Sequence, residues 1–151
     1  MKPSILRQKT FEFAVKIVRL VQRLQSEKKE FVMSTQLLKC GTSVGANDSE
    51  AEFAQSKDDF ISKLSISLKE ANESKFFLEL LHATDYIEND EFRDLASDCG
   101  EIKAMLISSL RTVKTSINKK VYWVEYFSFF TFHSSLFTLC IRLLGRKKKK
   151  K

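Results

Sequence analysis

Almost nothing in this chain interrupts a helix. Its single proline is Pro3, and only four glycines are spread over 151 residues. Proline and glycine are the strongest local breaks in a sequence. A chain this poor in them favours a few long helices over many short strands.

The apolar residues recur accordingly. A first helix is expected over residues 10–26, where Phe11, Ala14, Val15, Val18, Val21 and Leu24 recur at helical spacing and Phe13, Ile17 and Leu20 widen the stripe. Lys16, Arg19 and Arg23 fall elsewhere on the wheel, and residues 26–29 form the expected turn. A second helix is expected over residues 31–52. It contains Gly41 and Gly45, each of which costs about 1 kcal/mol relative to alanine inside a helix. With Ser49 they share one face at four-residue spacing, as a close contact with another helix requires. A backbone-lined ligand surface and a break into two shorter helices are the alternatives. The third helix is expected over residues 56–82, opened by Ser56 with Asp59 as a variant capping box. Its stripe is Phe60, Leu64, Leu68, Ala71 and Leu78. The fourth, over residues 90–118, carries Phe92, Leu95, Cys99, Ile102 and Leu106 in alternating steps of three and four. Gly100 lies inside it and argues against one unbroken rod.

Four amphipathic helices with short connections bury their stripes as an all-α, antiparallel up-and-down four-helix bundle. The expected domain is 1–120. Residues 121–151 are of another composition, a hydrophobic and basic C-terminal extension. Ser128-Phe129-Phe130-Thr131-Phe132 nearly recurs as Ser135-Leu136-Phe137-Thr138-Leu139, and the chain ends in five lysines. Its uncharged run is short for a membrane span, which takes about 20 apolar residues. The extension reads as low-complexity translation past an ancestral stop, as a membrane anchor, or as an added packing element.

The formal charge of +7 is uneven. Of 26 basic residues, seven lie after Lys120, leaving 19 against 18 acidic residues before it. The body is therefore nearly neutral, and the high basicity belongs to the tail. Within the body, the stretch to Cys40 holds nine basic and three acidic residues. Lys16, Arg19, Arg23, Lys28, Lys29 and Lys39 of that stretch are the candidate nucleic-acid contacts. A solvated helix face is the competing reading.

The run from Gln36 to Ala51, QLLKCGTSVGANDSEA, and that from Asp59 to Glu73, DFISKLSISLKEANE, resemble the four helix bundle protein family encoded in intervening sequences of bacterial 23S ribosomal RNA genes. The resemblance covers roughly residues 4–120. It implies the same bundle and a ring-like homopentamer. It extends to accessory proteins of diversity-generating retroelements, pentameric barrels that contact nucleic acid and a reverse transcriptase. Asn47, Glu50, Lys69, Glu70 and Glu73 match motif positions of that family, and Asp48 stands where its members more often carry an apolar residue.

The residues themselves suggest that these five side chains form an interhelical polar network. Carboxylate di-metal sites in bundles take an ExxH element from each of two helices, and this chain has a single one, Glu79 to His82. Cys40, Cys99 and Cys140 form no CxxC pair, so neither zinc nor a disulfide framework is suggested. Cys40 and Cys99 read as core residues. No signal peptide opens the chain. The expectation is a cytoplasmic, non-enzymatic, homo-oligomeric scaffold without cofactors. Its partner would be RNA, DNA or another protein, with membrane anchorage through the tail as the alternative.

Overall fold

The computed structural model describes residues 4–115. Three helices, α1 (Ile5–Glu27), α2 (Val32–Ala51) and α3 (Lys57–Ala83), are followed by α4, which starts at residue 89 and continues through residue 115. Interhelical bonds fix an antiparallel order. Thr10 meets Asp48 and Gln25 meets Ser34 between α1 and α2. Ser67 meets Val44 between α2 and α3, and Lys103 meets Asn72 between α3 and α4. The bundle unit closes by Val113. The expected boundary at Lys120, the tail and Cys140 lie outside the described residues.

Local chemistry sets the helix ends. α1 begins five residues before its apolar stripe because the Ser4 hydroxyl accepts from Arg7 N at 3.1 Å. It ends where Lys28 N and Glu30 N both bond Leu24 O, with Lys29 in the left-handed region at φ 56°. Glu30 then opens α2. Its carboxylate accepts from Val32, Met33 and Ser34 N–H groups at 2.7–2.9 Å. Ser56 caps α3, accepting from Asp59 N. The return bond of Asp59 goes to Gln55 N, one residue before the position a capping box uses.

The core is built from heptad-like seams. α1 contributes Thr10, Phe13, Ile17, Leu20 and Leu24, all buried, in alternating steps of three and four. This differs from the expected stripe in its first part: Phe11 is 67% exposed, and Ala14, Val15 and Val18 are half-buried, whereas Val21 and Leu24 are buried as expected. Both sets have helical spacing, and the set with the larger side chains, Phe13, Ile17 and Leu20, took the interior. α3 buries Leu64, Ser67, Ala71, Ser74, Leu78 and Leu81. Two serines in this seam keep α3 close to its neighbours. Ser67 Oγ donates to Val44 O across the interface at 2.8 Å, and Ser74 Oγ donates to Glu70 O of its own helix. α4 buries Leu95, Cys99, Ile102, Leu106 and Leu110, as its seam predicts.

The glycines differ in their work. A Cβ on Gly41 would lie 2.9 Å from Cγ2 of Ile17, a β-branched side chain with no exposure. A Cβ on Gly45 would meet Thr10 O at 3.4 Å, an ordinary contact. Gly41 is therefore the tight contact of α2 with α1, and Gly45 the looser one. Gly100 faces open space, and α4 runs through it unbroken.

Gly41→Ala is expected to destabilise the bundle by about 1–3 kcal/mol through overpacking. Gly100→Ala is expected to stabilise it by roughly 0.5–1 kcal/mol. Urea midpoints of the two variants test both signs. For Glu30, burial pushes the carboxyl upward, but its backbone donors outweigh this and hold it below its ordinary value of 4.5. Its contribution is therefore complete above that value and is lost as pH falls through the depressed folded value. Glu30→Ala should destabilise by about 1–3 kcal/mol at neutral pH, and the difference should shrink in denaturation curves recorded near pH 3.

Candidate functional site

The expected nucleic-acid stripe on α1 is largely occupied. Lys9, Lys16 and Arg23 stand seven residues apart on α1. They face Glu101, Asp98, Asp94 and Glu91 on α4. Lys16 Nζ lies 2.7 Å from both Asp94 and Asp98, and these bonds hold its pKa above the ordinary lysine value. Lys9 is likewise raised by its bond to Glu101. Two of the six candidate contacts, Lys16 and Arg23, are thus committed to closing α1 onto α4. Arg19, Lys28, Lys29 and Lys39 remain exposed. Over residues 4–115 the chain holds 16 basic and 18 acidic residues, so the bundle as a whole does not attract a polyanion. The spacing of 9, 16 and 23 against 91, 94, 98 and 101 was the available sequence signal for this ladder.

The expected polar network is not joined. Asn47 Nδ2 donates to Ser43 O in its own helix at 2.9 Å. Glu50 pairs instead with Lys63, which lies well before the expected partners Lys69, Glu70 and Glu73 on α3. Among the described residues, no hydrogen bond or ion pair links Lys69, Glu70 or Glu73 to Asn47 or Glu50. Glu70 and Glu73 sit near the Cys40 thiol and help raise its pKa, after the larger effect of burial.

The buried polar pair is at Asp48, the position where relatives more often carry an apolar residue, and its partner Thr10 has no signal in the sequence. Asp48 is 5% exposed, and its Oδ2 accepts from Thr10 Oγ1 at 3.2 Å. Burial pushes its carboxyl above the ordinary value of 3.8, and the Thr10 bond only partly offsets this. Thr10 also lines a groove between α1 and α2, together with Arg7, Phe11, Ala14, Gly45 and Ala46. The exposed ring of Phe11 stands over small residues there, so the groove is apolar and shallow.

No part of the described surface gathers reactive groups. No three His, Cys, Asp or Glu side chains among the described residues are placed to hold a metal. Cys40 and Cys99 are buried thiols, and burial carries Cys99 up to about 11, far from thiolate at neutral pH. His82 stacks on Phe92 with ring centroids 4.4 Å apart, and its Nε2 lies 2.8 Å from Asn89 Oδ1. It pins the α3–α4 turn. No helix among the described residues is long and apolar enough to cross a membrane.

Asp48→Asn should raise stability at neutral pH while keeping the Thr10 bond. The sign follows from the raised carboxyl: the folded state holds its proton more tightly, so stability falls as pH rises from 3.8 through the folded value. The gain from Asn should therefore vanish below that window. Urea midpoints at pH 7 and pH 3 check it.

The chain belongs to the 23S rRNA-intervening sequence protein family, whose model matches residues 2–108. A protein of unknown function from the S23 ribosomal protein family of Bacteroides thetaiotaomicron, solved by crystallography at 1.70 Å, is 52% identical to it. The match covers 70% of this chain and 98% of that one, with a TM-score of 0.70. No curated protein matches the chain.

Proposed function

We propose that this chain is a non-enzymatic, self-associating scaffold whose copies meet through the α1–α2 groove. The observation that carries the reading is Phe11, 67% exposed above small residues, on a helix whose other face is fully engaged in the bundle. A large ring over a small-residue surface is how a second helix docks at short range. The family resemblance supports a homopentamer. The reading needs no cofactor and assigns no catalytic residue. It places the protein in the cytoplasm, and its partner is nucleic acid or another protein.

A second reading, nucleic-acid contact, draws on Arg19, Lys28, Lys29 and Lys39. They are exposed and lie outside the α1–α4 ladder. Repetition around an oligomer would add such weak contacts together.

Light scattering of the full chain should give a mass several times that of one chain, five times by the resemblance. Phe11→Asp should reduce it to one chain while the helical circular dichroism is kept, because Phe11 is outside the core. A monomeric wild type would overturn the scaffold reading.

A further inference from the structure

The α1–α2 turn is held rigidly and yet displays an aromatic ring. Glu30 binds three successive backbone N–H groups, and Ser34 Oγ returns a bond to Glu30 O at 2.7 Å. Two amides close on Leu24 O behind it. The first amides of α2 are thereby satisfied from within, so the helix end itself offers no anion site. What faces outward is side chain. Phe31 is 55% exposed and Val32 77%, with Lys28 and Lys29 exposed beside them.

We propose that this turn is a contact for single-stranded nucleic acid, with Phe31 stacking on an unpaired base and Lys28 and Lys29 meeting the flanking phosphates. The proposal rests on the nucleic-acid reading above and gives it a place and a ligand class. Stacking on an aromatic ring tolerates any base, since every base has a π-face. A ring on a turn whose backbone is already fixed loses little freedom on binding.

The surrounding charges select the form of the ligand. Glu27 is exposed on α1, Asp85 and Glu88 are exposed on the α3–α4 turn, and Asp90 is exposed at the start of α4. That turn lies at the same end of the bundle, where Arg23 meets Glu91. A flat anionic membrane or a stiff duplex would meet all of these carboxylates together. A flexible single strand can reach Lys28, Lys29 and Phe31 while passing clear of the others. A duplex also keeps its bases stacked, leaving no free face for Phe31.

The test uses the full chain with Lys147 to Lys151 each changed to Gln, so that the tail does not bind polyanions itself. Fluorescence polarisation with a labelled, unstructured RNA oligonucleotide gives the affinity at several salt concentrations. Phe31→Leu keeps apolar bulk without the ring and should weaken binding about 10-fold, while Phe31→Trp should retain it. Changing Lys28 and Lys29 together to Gln should weaken binding and lower the salt slope by roughly 1.4, about 0.7 for each phosphate contact on a single strand. The duplex of the same sequence should bind more weakly than the single strand. Equal affinity of Phe31→Leu and its parent would overturn the turn as the contact and leave the broader nucleic-acid reading standing. Preference for the duplex would overturn the stacking. No binding by the parent would overturn both.

Discussion

Closure of the bundle depends on α1 finding α4 in one register, because no short connection joins the first helix to the last. Three cations seven residues apart meet four carboxylates spaced three, four and three. Each exposed pair contributes little on its own. Their joint effect is selective, since a shift by one heptad leaves charges at one end unmatched, and a parallel arrangement reverses the order of the acids. The apolar burial comes from the core, where Phe13, Ile17 and Leu20 of α1 and Leu95, Cys99 and Ile102 of α4 are all buried. The attraction is non-directional in the core and directional at the rim.

The same ladder changes what the surface can do. Cations that look like a polyanion footprint along α1 are turned inward against α4. What α1 still exposes includes Phe11, beside the small residues of the groove, and Arg19. The outer side of this helix is thus suited to another protein surface, while the cations still exposed toward the solvent lie at Arg19, at the α1–α2 turn and on α2. The two contacts proposed above, at the α1–α2 groove and at the α1–α2 turn, thus draw on different residues.

Much of the fold was legible because helix seams leave a periodic trace. The α4 seam was read correctly from Leu95 to Leu106. On α1 the trace was ambiguous: two apolar sets share the helical period, and volume decided between them, which period alone does not encode. Gly41 and Gly45 look alike in sequence, and only the position of Ile17 distinguishes them. The polar network failed for a different reason. Asn47, Glu50, Glu70 and Glu73 are on facing helices, but the antiparallel register sets Glu50 beside Lys63 and Val44 beside Ser67, which leaves Glu70 and Glu73 farther along, near Cys40. Glu30 gave no sequence signal beyond its place after two lysines. Its role arises from a left-handed Lys29, which turns the following carboxylate back over the start of α2.

The two buried cysteines have a consequence for how opening of this bundle could be watched. Cys99 Sγ donates to Ala71 O across the α3–α4 contact, and Cys40 Sγ to Leu37 O inside α2. Each sulfur is walled in by side chains and is kept protonated, so an alkylating reagent or an oxidant meets neither while the helices stay packed. Thiol labelling at these positions therefore reports how much of the time the helices are parted, and their opening rate where the reagent reacts faster than the helices reclose. The Cys40 label would report loosening of α2, and the Cys99 label loosening of α3 from α4. The fold thus carries two internal reporters of its own breathing, both set against the middle of α3.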